Sequence, residues 1–256
     1  MTTRWFAIAI CGALLAAENA SVASSAEVKL LNPLAMRGVM PDVVSQFERS
    51  SGHKVTVEFA TVGVITDRLL KGEAADVTVV SGPQMEELQK QAKIAAGSRA
   101  DVARVGVAVF VRAGAAKPDI GSVDAFKRAL LAAKSISYGD PAAGGVSGVH
   151  MGALIDRLGI AAELKPKIQL LPNSQAVVDA VAKGNVEIGI GLTSDTALTP
   201  GIDLAGALPP EIQNFTLYAA GIVVTSKQVD AGKALINFFS SQATQAALKA
   251  KGFEPR

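Results

Sequence analysis

The chain has 256 residues, 49% of them apolar and 19% charged, with a formal net charge of +2 at pH 7. That composition supports one large or two ordinary domains with real cores and excludes a disordered chain. So small a charge gives no field for nucleic acid or for an anionic membrane, and any anion recognition has to be local.

Arg4 and the apolar run Trp5–Ala17 read as the n- and h-regions of a cleavable signal peptide, too short to span a bilayer. Ser24-Ser25-Ala26 is a small-x-small cleavage site, so the signal is predicted over 1–26 and the mature chain from Glu27. An uncleaved anchor lacks a stop-transfer flank. Cys11 sits inside the apolar run after Ile10, which argues against a lipoprotein site and places it in the discarded signal. A mature chain without cysteine has no disulfide, and an exported chain of that kind fits a bacterial periplasm.

Val28–Leu31 reads as a short strand, followed by the loop Asn32–Ala35. Val39, Met40, Val43, Val44 and Phe47 recur at helical spacing, with Pro41 in the first turn and Gly52 as the stop. Val55–Phe59 alternates as a strand. An amphipathic helix ending at Gly72 and a buried strand, Asp76–Val80, follow. Ser81 can cap the next helix, with Gln84 as its capping-box partner.

Val105–Val111 reads as one long apolar strand, followed by a Gly/Pro connector over 113–121. A second series begins there: a helix capped by Ser122, a strand Ser135–Tyr138, a Gly-rich loop, and a helix Gly148–Leu158. A strand Ile168–Leu171, a helix Ser174–Lys183, a strand Val186–Leu192, a long strand Thr216–Val224 and a final helix Ala231–Lys249 complete it.

Strand and helix alternating through short connections predict an α/β fold of parallel sheets with right-handed crossovers. Two such series joined by two long strands predict two lobes, each a mostly parallel sheet flanked by helices. One lobe would hold 27–106 and 217–256; the other, inserted, would hold 107–216. Ligands on such sheets collect at the carboxyl ends of the strands, where helix N-termini attract anions. In the first lobe those ends are Asn32–Met36, Ala60–Val62 and Ser81–Pro83.

The stretches "VTVEFATVGVITDRLLKGEAADV", "ADVTVVSGPQMEELQKQAKI" and "GNVEIGIG" resemble periplasmic molybdate-binding proteins of ABC transporters, and the order of elements agrees over nearly the whole mature chain. The resemblance implies the two-lobed type II periplasmic binding protein fold. It also implies capture of a small anion between the lobes, and a membrane ABC permease as partner. The family's loop hydroxyls are altered here. Its first-loop serine falls on Ala35, its second loop reads Ala60-Thr61-Val62-Gly63, and its late tyrosine falls near Leu192. A desolvated oxyanion is held by many oriented donors, each charge-assisted bond contributing about 1.5–3 kcal/mol. The stretch therefore keeps the scaffold of an anion cleft with changed chemistry: the family's ligand does not carry over, while backbone N–H groups can still hold an anion.

Arg37 follows Ala35 and Met36 at the first loop, where a guanidinium suits a carboxylate; a solvated surface arginine is the bland alternative. Thr61 and Ser81 can contact a ligand, cap a helix, or both. Gly144, Gly145 and Ser147 lie in a loop that lets backbone N–H groups approach an anion, although no phosphate-loop spacing is present. Thr193 and Ser194 can replace the lost tyrosine donor. Asn173 and Ser174 are weaker candidates, and Tyr218 reads as packed or hinge-lining. His53 and His150 are the only histidines, which argues against a metal site. Asp140, Ser147 and His150 resemble a triad by type but lack a nucleophile elbow. The expectation is a monomeric binding protein for a small oxyanion or carboxylate, with no cofactor. A ligand sensor without a transport role is the alternative, and an enzyme on the same scaffold stands behind both.

Overall fold

The computed structural model describes residues 25–196 and 199–255. The expected signal segment, apart from its last two residues, lies outside them. Two mixed sheets carry the chain. β1 (Glu27–Pro33), α1 (Met40–Ser51), β2 (Lys54–Ala60), α2 (Val62–Leu70), β3 (Val77–Ser81) and α3 (Gly82–Lys90) follow the alternation expected of the first series. β1 runs parallel to both neighbours, with Leu30 beside Val57 of β2 and Val77 of β3. Every residue of β3 is buried, as a strand covered on both faces requires. α1 has Pro41 in its first turn, buries Met40, Val43, Val44 and Phe47, and ends at Gly52 in a left-handed conformation, φ 75°. Each such side chain stabilises the fold by roughly 1.5–3 kcal/mol on burial.

The apolar run at 105–111 is not one strand. β4 (Ala100–Val105) belongs to the first sheet and β5 (Val107–Arg112) to the second. Gly106 stands between them, and a Cβ there would meet the Phe215 ring at 3.1 Å. Residues 105–111 are all buried, from the end of β4 through β5, so unbroken hydrophobicity hid the change of sheet.

α4 (Val123–Ala132), β6 (Ile136–Gly139), α5 (Val146–Arg157), α6 (Ala161–Leu164), β7 (Ile168–Leu171), α7 (Ser174–Ala182), β8 (Ile188–Leu192), α8 (Thr193–Thr196) and β9 (Ile202–Ala207) build the second sheet and its helices. β6 is parallel to β7 and β8, while β5 is antiparallel to β8 and β9. β10 (Thr216–Ile222) returns to the first sheet, antiparallel between β3 and β4. The second crossing is therefore residues 208–215, not the strand expected at 216–224. The last expected helix is two, α9 (Val229–Phe239) and α10 (Gln242–Ala250), because Ser241 starts a new helix by accepting the Thr244 N–H at 3.2 Å. β11 (Glu254–Pro255) closes the edge beside β4.

The sheet orders are β11-β4-β10-β3-β1-β2 and β7-β6-β8-β5-β9. One buried cluster runs through both halves, and a smaller one gathers Phe110, Val177, Val178, Val181 and Val186 under α7. Among the described residues no helix is long and apolar enough to cross a membrane.

Candidate functional site

The carboxyl ends of the parallel strands face one another across a cleft. Pro33–Ala35, Arg37, Thr61, Val62 and Tyr218 line it from the first sheet's side. Gly139, Asp140, Gly145–Gly148, Pro172–Gln175, Leu192 and Asp195 line it from the second. The empty space between these residues, open solvent at the mouth included, is about 530 Å³.

Helix starts converge on this space. α2, α5 and α7 begin at Val62, Val146 and Ser174, all three in the lining. Their first N–H groups have no partner within their own helices and carry partial positive charge. α5 can lie this close to the end of β6 only because residue 148 is glycine. A Cβ there would come within 2.2 Å of the Gly139 carbonyl oxygen.

Arg37 brings a positive charge to the lining. Its Nη2 donates to the side-chain oxygen of Gln175 on α7, and Gln175 Nε2 donates to Asp179 at 2.6 Å. Among the described residues no carboxylate lies within ion-pair distance of Arg37, so the charge is not neutralised by direct contact.

Thr61 both caps and bridges. Its hydroxyl accepts the Val64 N–H at 3.3 Å, capping α2, and donates to the Ala143 carbonyl at 2.6 Å on the other side of the cleft. Beside it Gly63 N–H donates to the Gly144 carbonyl at 3.1 Å. A Cβ on Gly63 would lie 2.9 Å from Gly144 Cα, so the two backbones touch with no room for a side chain. The lobes are thus held in a closed arrangement by backbone and hydroxyl contacts.

The second side also brings a carboxylate. Asp195 follows β8 on the short helix α8, and its Oδ2 accepts the Leu192 N–H at 2.9 Å. Burial pushes its pKa up to about 6, against the opposing pull of the Leu192 N–H, the Ser174 hydroxyl and the Arg37 charge. Tyr218, 1% exposed, faces the same space. Burial first, and then the negative charge of Asp195, raise its phenol pKa above the ordinary value, so it is a neutral donor near pH 7.

Of the residues singled out from sequence, Ala35, Arg37, Thr61, Gly145, Ser147, Asn173, Ser174 and Tyr218 line the cleft. Met36, Ser81, Thr193 and Ser194 do not. Met36 is fully buried in the core, because the turn at 34–36 directs it inward. Ser81 is buried and donates to the side chain of Gln84 instead of capping α3 with its own oxygen. The Thr193 hydroxyl donates to the Gly252 carbonyl at 2.8 Å, tying α8 to the chain's end. Ser194 is 1% exposed and is not part of the lining. No triad forms: His150 Nε2 bonds the Ile212 carbonyl at 3.1 Å, while Ser147 lies 3.4 Å from Ser174. Burial lowers the His150 pKa, which favours the neutral ring. His53 Nδ1 accepts the Ala26 N–H at 3.2 Å.

Gln175 and Asp195 were missed from sequence. Asp195 had a legible signal, since an acidic residue just past a strand's carboxyl end belongs where ligands collect. Gln175 had none. Its role depends on Arg37, which is 138 residues away along the chain.

The sequence model of the family described as bacterial extracellular solute-binding protein matches residues 28–254. An aconitate isomerase of a Pseudomonas species is 32% identical over 253 residues, covering 95% of this chain and 94% of that protein. The molybdate-binding protein of Azotobacter vinelandii is 28% identical over 247 residues, covering 91% and 92%. The solved periplasmic molybdate-binding protein of that organism superposes with a TM-score of 0.74 at 18% identity, covering 90% of this chain and 99% of the other. At that identity the superposition speaks for the fold alone.

Proposed function

Because the chain belongs to the bacterial extracellular solute-binding protein family, we propose that it takes up a small polycarboxylate in the cleft between its lobes. The carrying observation is Arg37, a cation with no carboxylate partner among the described residues, held against Gln175 amid three helix N-termini. A guanidinium binds a planar carboxylate in bidentate fashion, and helix N-termini accept further carboxylates at separate points. A tetrahedral oxyanion needs many oriented donors on all sides. The lining keeps the hydroxyls of Thr61, Ser147, Ser174 and Tyr218 but has Ala35, Val62 and Leu192 without any, which weakens the case for a tightly held oxyanion. The relative named for aconitate, an unsaturated tricarboxylate, supports the same ligand class.

In this reading the protein works outside the cytoplasm, after export by the signal at 1–26. It closes on its ligand as a monomer and presents the closed form to an ABC permease. Closure stabilises the complex only as far as the ligand touches both sides. A second reading is that the cleft isomerises the bound anion. The relative's name favours it, as does a partly buried carboxylate, Asp195, in the wall of a cleft otherwise suited to anions. Capture alone has no use for that group.

Thermal unfolding of residues 27–256 against a panel tests the proposal. The panel holds cis- and trans-aconitate, citrate, succinate, molybdate, sulfate and phosphate. A ligand at 100 times its dissociation constant stabilises by about 2.7 kcal/mol, a midpoint shift of roughly 5–10 °C in a chain of this size. The shift is expected with tricarboxylates. A shift with molybdate alone would overturn the proposal.

A further inference from the structure

We propose that Asp195 is the acid–base group of the cleft, removing a proton from a carbon of a bound unsaturated tricarboxylate and returning it to the far end of the same allylic system. The inference rests on the isomerase reading and assigns its proton carrier.

A cleft built from Arg37 and the starts of α2, α5 and α7 attracts anions, yet a carboxylate lies in its wall. An ionised carboxylate there repels an anionic ligand and is costly to desolvate. Fixed donors hold it even so: the Leu192 N–H at 2.9 Å, with the Ser174 hydroxyl and the Arg37 charge also acting on it. A Cβ on Gly191 would sit 3.1 Å from its Oδ2, so the approach of β8 is fitted to it. The charged or titratable groups acting on Asp195 are Arg37 from the first lobe and Tyr218 from β10. Its carboxyl, with a pKa near 6, exchanges protons at little cost close to neutrality.

The step balances without a co-reactant. The methylene between one carboxylate and the double bond is the most acidic carbon of an aconitate-type substrate. Its C–H bond breaks, the proton passes to the Asp195 carboxylate, and the electron pair spreads over the allylic carbons into the flanking carboxylates. Arg37 and the helix N-termini face the charge that develops. The O–H bond of Asp195 then breaks and a C–H bond forms at the other end of the allyl unit. The double bond has moved by one carbon, and nothing is oxidised or reduced. In a tricarboxylate of this symmetry the product has the same constitution, and its double bond is free to take the opposite geometry.

The experiment follows cis- and trans-aconitate by proton NMR in deuterated buffer, with wild type and Asp195→Asn. Thermal shift with the same acids checks folding and binding in both. Wild type is expected to interconvert the isomers and Asp195→Asn to do so at least about 100-fold more slowly, with the thermal shift kept. Turnover by Asp195→Asn within about tenfold of wild type overturns the assignment of Asp195 alone. A wild type that binds without turnover overturns the isomerase reading and the assignment with it, but leaves capture standing. Should the Asn variant not fold, the wild-type pH profile decides. A kcat, read at saturating substrate, that falls below about pH 6 supports Asp195 as the base. A flat profile through that range overturns it.

Discussion

The two rims of the cleft are made by the same device, parallel strands running into helix starts, but they bring opposite things to it. The first rim, Pro33–Ala35, Arg37, Thr61 and Val62, contributes a cation, the start of α2 and no carboxylate. The second, at 139–140, 145–148, 172–175, 192 and 195, contributes the starts of α5 and α7 together with Asp140 and Asp195. Both acids accept a local backbone N–H at 2.9 Å, Asp140 Oδ1 from Ala142 and Asp195 Oδ2 from Leu192; what separates them is the burial that pushes the Asp195 pKa up to about 6. Neither rim alone makes a satisfactory anion site. The first has charge with little shape, and the second has dipoles opposed by an acid. In the proposed reading recognition would be a property of closure, because Arg37 of one side is seated on Gln175 of the other.

The largest expected effect comes from removing the first rim's charge. Arg37→Ala deletes a charge-assisted contact worth about 1.5–3 kcal/mol, so affinity for a tricarboxylate should fall roughly 10- to 150-fold by calorimetry. Arg37→Lys should recover only part of it, because an ammonium cannot grip a planar carboxylate in bidentate fashion. Unchanged affinity in Arg37→Ala would assign recognition to the second rim alone.

Next comes the contact of the two rims themselves. Gly63→Ala places a Cβ 2.9 Å from Gly144 Cα in the closed arrangement. In an open form the same substitution is benign, since alanine raises helix propensity by up to about 1 kcal/mol. Overpacking confined to the closed form costs about 1–2 kcal/mol, or roughly 5- to 30-fold in affinity. The midpoint of the ligand-free protein should stay level or rise. A ligand-free protein that is itself destabilised would mean that the closed arrangement predominates without ligand.

The first rim was also the more legible one. Its strands and helices alternate cleanly, Gly52 and Gly72 mark the stops, and Thr61 and Arg37 were found because loop chemistry and strand ends coincide there. The second half resisted for physical reasons. β9 is half-exposed and carries weak alternation, IDLAGA, so no period identified it. The end of β4 and all of β5 as far as Val111 are buried, so their apolar residues ran together across Gly106. Thr193 and Ser194 offered the right chemistry at the right strand end, but the first turn of α8 directs Asp195 to the cleft in their place. A strand end narrows the choice to a few residues, and which of them faces the ligand is decided by the turn that follows.

The smallest effect tests Thr61, where cap and bridge share one hydroxyl. Thr61→Ala removes the cap of α2, costing about 1 kcal/mol of stability, or a midpoint loss of roughly 2–4 °C. It also removes the 2.6 Å bond to the Ala143 carbonyl, which leaves that oxygen to water when the lobes are apart and unpaired when they meet. A net 0.5–1.5 kcal/mol for that bond predicts a two- to twelvefold loss of affinity on top of the stability change. Thr61→Ser keeps the oxygen and should restore both quantities, whereas Thr61→Val keeps the shape and should restore neither. Lost stability with unchanged affinity would reduce Thr61 to a cap. The closed arrangement would then rest on the Gly63–Gly144 contact and on Arg37, and the first rim's share of recognition would be its single charge.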